Sequence, residues 1–236
     1  MIPWRLLDTA AMPGGGELRL MQRGAEFSIM LGRIELMNSR LSGSEEALAR
    51  LSCAIIRERP RPQLLIGGLG MGFTLRAALA ELSADARITV AELVPAVVSW
   101  ARGPMAGVFD NCLTDPRVGI REEDVGSLIK AGPANYDAIL LDVDNGPEGL
   151  SRKANDGLYD MEGLGAARMA LRPGGVLAVW SSGPDKAFTQ RLRRTGLNVE
   201  EVTVRANGAR GGARHVIWIA RRDGKAPTHP MRRPRG

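Results

Sequence analysis

At 236 residues, 44% hydrophobic and 25% charged, the chain has the profile of a globular protein long enough for a full core. Gly and Pro (29 and 14) stay below the ~25–30% of a disordered chain, no apolar run approaches the ~18 residues of a membrane span, and two cysteines, Cys53 and Cys112, make neither a disulfide framework nor a zinc cluster. The net charge of +6 sits almost wholly in residues 221–236, which carry six Arg and Lys against Asp223, so it marks a basic tail rather than a basic face of the body.

The start, MIPWRLLDTAAMPGGG, lacks the apolar stretch of a signal peptide, and a reducing cytoplasm is the expectation. Residues 16–23 and 25–31 alternate loosely around Gly24 and read as a hairpin. Gly32 leads into RIELM, a third short strand. This β-element, residues 1–41, is too small to stand as an independent domain. From Ser42 the apolar residues fall at helical spacing behind Ser and Glu, a helix start. Beyond Pro62 strands and helices alternate: QLLIG, FTLRAALAEL, RITVAEL, PAVVSWAR, RVGIRE, DVGSLIKA, YDAILLD, GLGAARMALR, GVLAVW and DKAFTQRLRRTG. Short apolar strands separated by helices predict an α/β domain over 42–220, a mostly parallel sheet covered on both faces. Two closing strands, VEEVTVR and HVIWIAR, have no helix between them, so one edge is predicted antiparallel. The tail 221–236 cannot bury apolar area and is expected to be disordered. It is read as a solvated end, with nucleic acid as the less favoured contact.

Four segments carry chemistry. In LLIGGLGMGF, Gly67, Gly68, Gly70 and Gly72 follow a buried strand and open a helix. Glycine permits positive φ and close ligand approach, and helix-start N–H groups suit a polar or anionic group; a plain tight turn is the alternative. Glu92 closes the next strand, 24 residues after Gly68, where a carboxylate can accept ribose hydroxyls or simply be solvated. Asp124 follows the third strand and either caps its helix or accepts an adenine amino group. Asp142 and Asp144, with Asn145, close the fourth strand in YDAILLDVDNGPEG. Such a group suits a cationic or amine substrate and can take its proton, or else caps a loop. His215, within a strand, is read as structural, and Cys53 as core. Trp180, ending a strand on the ligand edge, is preferred to Trp100 as a pocket wall.

In this order, LLIGGLGMG, AELVP, the REED segment, YDAILLDVDNGPEG and ALRPGGVLAVW resemble a Rossmann-like class I S-adenosylmethionine-dependent methyltransferase fold and, more narrowly, the spermidine synthase (aminopropyltransferase) family, over about residues 16–220. The resemblance implies a small N-terminal β-element on a Rossmann-like domain, and a homodimer. It implies that Gly68, Gly70 and Gly72 hold a sulfonium nucleoside, Glu92 its ribose and Asp124 its adenine, and that Asp142 assists deprotonation of an attacking amine. The chain also departs from the family. GGLGMG has no acid where aminopropyltransferases carry one for the amine of decarboxylated S-adenosylmethionine. Asn145 stands near the family's second acceptor Asp, and Glu35, Ser44 and Glu45 fall near its Gln and Tyr-His pair.

A loop without an acid does not repel the carboxylate of intact S-adenosylmethionine. The leading expectation is therefore a methyltransferase, with no metal, acting on a small-molecule acceptor such as an amine. The alternatives are an aminopropyltransferase using decarboxylated S-adenosylmethionine, and a non-catalytic nucleoside-binding interaction protein. A dinucleotide dehydrogenase is disfavoured by the AELVP segment.

Overall fold

The computed structural model describes residues 2–143 and 157–224. It contains two sheets. The first is an antiparallel meander of β1 (Arg5–Ala11), β2 (Glu17–Arg23), β3 (Glu26–Leu31) and β4 (Ile34–Asn38), in that order. Leu18 and Leu20 of β2 and Phe27 and Ile29 of β3 face inward on alternate positions and are buried, as period-two strands with one covered face require. Gly24 turns β2 into β3 at φ +60°. β1 escaped the sequence reading because RLLDTAA has no apolar alternation and stays largely exposed; β2 holds it by backbone pairing.

The second sheet has seven strands: β5 (Gln63–Gly67), β6 (Arg87–Ala91), β7 (Val118–Arg121), β8 (Tyr136–Leu141), β9 (Leu171–Ser181), β10 (Asn198–Arg205) and β11 (Arg214–Arg221). Their spatial order is β10-β11-β9-β8-β5-β6-β7. The five from β9 to β7 run parallel, while β11 pairs antiparallel with both β9 and β10. The mostly parallel α/β sheet and its antiparallel edge are those read from the sequence.

Among the described residues the strands are connected by α1 (Gly43–Ile56), α2 (Phe73–Glu81), α3 (Pro95–Arg102), the single turn α4 (Ala106–Phe109), α5 (Val125–Lys130), α6 (Met161–Ala170) and α7 (Lys186–Arg194). Alternate residues of each central strand feed two cores. Leu64, Ile66, Ile88, Val90, Ala138 and Leu140 join one core with the first three helices and the meander. Leu65, Ile139, Leu141, Leu177 and Val179 join the other, with Leu164, Phe188 and Trp218. Strands buried on both faces read as continuous apolar runs, which is why they were legible. None of the described helices is long and apolar enough to cross a membrane.

Register places the site. Gly67 pairs with Ala91 on one side and with Leu141 on the other. The next residues, Gly68, Glu92 and Asp142, therefore emerge side by side at the carboxyl edge. Strand order reverses at β5, between β6 and β8, and that is where an α/β sheet opens its ligand crevice.

Candidate nucleoside and acceptor site

The loop after β5 is shaped by its neighbours. The Gly68 N–H donates to the Ala91 carbonyl at 2.8 Å, and φ is +91°. A Cβ there would lie 2.4 Å from the Asp142 carbonyl oxygen, a contact no side chain tolerates. At Gly70, φ is +52° and a Cβ would meet only Met37 Sδ, at 3.7 Å, so Gly70 borders open space. Gly72 begins α2 at φ +76°, and a Cβ there would strike the Phe109 ring at 2.6 Å. Gly67 is buried against Val125 and Leu141. The four glycines thus divide: Gly68 and Gly70 line a cleft, while Gly67 and Gly72 make room for packing.

Glu92 is 9% exposed. Its Oε2 accepts the Leu69 N–H at 3.0 Å and its Oε1 the Val94 N–H at 2.8 Å. The carboxylate therefore ties the glycine loop to the start of α3. Asp124 caps α5 by accepting the Gly126 N–H and also lines the cleft.

Glu92, Asp124, Gly68, Gly70 and Asp142 line one cleft that encloses about 770 Å³ with its open solvent included. Met12, Leu18, Leu36 and Met37 of the N-terminal meander form its opposite wall. The meander therefore completes the cleft rather than standing apart from it.

A second cavity of about 630 Å³ adjoins the first and shares Leu36, Met37, Gly70 and Asp142 with it. Its other walls are Glu45, Leu69, Met71, Phe73 and Trp180. Asp142 thus faces both spaces. Its Oδ2 accepts the Thr74 hydroxyl at 2.6 Å. Burial, then the negative charge of Glu45, push the Asp142 carboxyl up to about 7 despite that hydrogen bond. Burial likewise raises the pKa of Glu45. Neither acid has an Arg or Lys in ion-pair contact among the described residues. Two unneutralised carboxylates on one apolar cavity attract a cation or share a proton.

No protein-family model matches the chain. Among curated proteins it is similar to polyamine aminopropyltransferase 2 of Pseudomonas aeruginosa, 32% identical over 129 residues, covering 53% of this chain and 34% of that one. It is also similar to the polyamine aminopropyltransferase of Mycobacterium tuberculosis, 32% identical over 133 residues, covering 55% and 24%. The chain spans about a third or less of the length of these two relatives. Spermidine synthase from Thermotoga maritima shares the fold at a TM-score of 0.72 with 18% identity, over 94% of this chain and 74% of that one. A spermidine synthase in complex with the transition-state analogue AdoDATO gives 0.71 with 18% identity, over 94% and 73%. The chain is thus similar in sequence to polyamine aminopropyltransferases and in fold to spermidine synthases.

The structure gathers Gly68, Gly70, Glu92, Asp124 and Asp142 around one cleft and leaves Gly67 and Gly72 behind it. Asp144, the other predicted catalytic residue, and Asn145 lie outside the described residues. The glycine loop does carry Leu69 instead of an acid, and Leu69 is 4% exposed. The sequence reading left Glu45 out of the site, although Ser44 and Glu45 fall near the family's Tyr-His position. The signal available was an acid in the first turn of a helix that already had Glu46 beside it. Trp180 lines the second cavity, as expected, whereas Trp100 is 2% exposed and donates to Asp8 Oδ2 at 2.7 Å. Burial pushes the Cys53 thiol up to about 12 and the Cys112 thiol up to about 11, which makes both unreactive core residues. Among the described residues no three His, Cys, Asp or Glu side chains group as metal ligands.

Proposed function

We propose that the chain is a transferase of the spermidine synthase type that moves an aminopropyl group from decarboxylated S-adenosylmethionine to an amine. The observation that carries this reading is the pairing of Asp142 with Glu45 on a cavity that opens beside the glycine loop. The expectation of methyl transfer rested on the loop alone, where Leu69 replaces an acid. Glu45 supplies negative charge to the same region from α1. A donor bearing an ammonium without a carboxylate is favoured there, and the carboxylate of intact S-adenosylmethionine is repelled. The similarity to polyamine aminopropyltransferases favours the same choice.

In this reading the nucleoside lies in the larger cleft, with ribose hydroxyls donating to Glu92 and the adenine amino group to Asp124. The amine enters the second cavity against Asp142. An ammonium has no lone pair, so it first gives a proton to the Asp142 carboxylate. A carboxyl group titrating near neutrality suits that exchange. The nitrogen then attacks the methylene carbon next to the sulfonium. The N–C bond forms, the C–S bond breaks, and its electron pair neutralises sulfur to leave methylthioadenosine. Most of the acceleration comes from holding the neutral amine nitrogen in line with the carbon next to the sulfonium, in a polar site that is already organised.

Calorimetric titration tests the reading. Decarboxylated S-adenosylmethionine and methylthioadenosine are expected to bind at least tenfold more tightly than intact S-adenosylmethionine. Preference for the intact form would restore methyl transfer, and binding of none would reject a nucleoside site.

A further inference from the structure

The Asp142 carboxylate is held through one oxygen. Thr74, in the first turn of α2, is 4% exposed, and its hydroxyl donates to Asp142 Oδ2 at 2.6 Å. Among the described residues Thr74 is the one hydrogen-bond donor to this carboxylate. Oδ1 has no partner there and is not a sealed polar atom, so it is the oxygen offered to the two cavities that Asp142 lines. Thr74 itself lines neither cavity.

Helix formation does not account for this threonine. The N-cap of α2 is Gly72, and no side chain caps the helix. A helical threonine commonly bonds back to a carbonyl in its own preceding turn; Thr74 turns across to another element instead. Its second oxygen neighbour is the Glu45 carbonyl of α1, at 3.4 Å. A hydroxyl has one proton, and the shorter contact, to a charged acceptor, takes it. The β-branch restricts χ1, and burial leaves the side chain no room to turn away. The Asp142 backbone is fixed as well, since its N–H donates to the Gly67 carbonyl at 3.0 Å.

The charged groups around Asp142 all oppose its ionisation. Glu45 faces it from α1 across the second cavity, and Glu92, Glu123 and Asp124 line the first cleft with it. His215 of β11 stands one layer back, edge to face with Trp180; burial lowers its pKa, so it is neutral at pH 7 and above. Against these acids and the burial, the Thr74 hydroxyl favours the carboxylate.

We propose that Thr74 is a positioning residue for Asp142, pinning Oδ2 so that Oδ1 accepts the proton of the reacting nitrogen. The proposal rests on the transferase reading above and deepens it. The N–H bond breaks, its electron pair stays on nitrogen for the attack on carbon, and the proton passes from Oδ1 to water once the product has left.

The test compares Thr74→Val, which keeps the shape and loses the hydroxyl, with Thr74→Ser, which keeps the hydroxyl, in the full chain. One readout is independent of transfer. Urea unfolding from pH 5 to pH 9 follows the stability lost as pH rises through the folded pKa of Asp142. Without the donor that pKa rises, so in Thr74→Val the loss is expected to extend about one pH unit higher, and to stay put in Thr74→Ser. The shift is expected to vanish when Thr74→Val is combined with Asp142→Asn. For transfer from decarboxylated S-adenosylmethionine, Thr74→Val is expected to lower kcat at least tenfold and to move the acidic limb of the pH profile upward. Methylthioadenosine affinity stays within twofold, and Thr74→Ser recovers most of the rate. An unmoved pH profile in Thr74→Val overturns the proposal, and so does a serine variant as slow as the valine one. Should Thr74→Val fail to fold, Thr74→Ala removes the same donor without crowding and is expected to give the same shift, with an unmoved profile again counting against the proposal. No transfer by the unaltered chain, together with the stability shift in Thr74→Val, would reject the transferase reading and leave the hold of Thr74 on Asp142 standing.

Discussion

Replacing Asp142 with asparagine is expected to change how stability depends on pH, in a direction set by the carboxyl's surroundings. In the folded chain burial and Glu45 hold its pKa at about 7, against 3.8 for the free side chain. A carboxyl with a raised folded pKa contributes stability that is full below about pH 4 and is lost as pH rises to about 7, because the native state keeps a proton that the unfolded state has released. Each pH unit within that window is worth about 1.36 kcal/mol, so the two units from pH 5 to pH 7 give at most about 3 kcal/mol. Asp142 borders a cleft open to solvent, and screening brings the expected value to about 2 kcal/mol. Asparagine keeps an oxygen for the Thr74 hydroxyl and removes the titration. Urea unfolding followed by tryptophan fluorescence at pH 5, 6, 7 and 8 reads the difference. The variant is expected to gain about 2 kcal/mol on the unaltered chain between pH 5 and pH 8. Parallel profiles for the two proteins would refute the claim that Asp142 is destabilised as an anion by its setting.

The glycines give a contrast in kind. Gly68→Ala sets a Cβ against the Asp142 carbonyl and is expected to abolish nucleoside binding measured by calorimetry, even in a variant that folds. Gly72→Ala presses on Phe109 and is expected to cost about 2–4 kcal/mol in urea unfolding, while the molecules that remain folded bind methylthioadenosine normally. Glu92→Gln presents an amide N–H₂ to one of the two backbone N–H groups the carboxylate now accepts. About 1–3 kcal/mol of stability and at least tenfold in nucleoside affinity are expected to be lost. At the opposite end of the sheet, Asp137 is 2% exposed and accepts from Arg59 at 2.7 Å, Arg172 at 2.8 Å and the Gln63 N–H at 2.8 Å. Asp137→Asn strands those donors and is expected to cost about 3 kcal/mol without altering nucleoside affinity per folded molecule.

What could be read from the sequence follows from what is local. QLLIG, RITVA and YDAILL are buried on both faces, so their composition alone declares a parallel sheet, and their last residues locate Gly68, Glu92 and Asp142 at its carboxyl edge. β1 was not legible because its contribution is backbone pairing to β2, which leaves no mark in side-chain alternation. The split among the glycines depends on what stands opposite each one, Phe109 for Gly72 and Asp142 for Gly68, and neither contact is encoded within the loop. Glu45 escaped for the same reason. Its significance arises from Asp142, a residue 97 positions further along, which only folding brings to the same cavity. The inference from Leu69 toward intact S-adenosylmethionine treated the loop as the whole source of local charge, and Glu45 restores that charge from another element.

The central claim is tested most directly by incubating the full chain with decarboxylated S-adenosylmethionine and 1,4-diaminobutane, in parallel with intact S-adenosylmethionine and the same amine, and identifying products by mass spectrometry. The account predicts methylthioadenosine and spermidine in equal amounts from the first mixture and no methylated amine from the second. S-adenosylhomocysteine with a methylated amine from the second mixture, and nothing from the first, would contradict it.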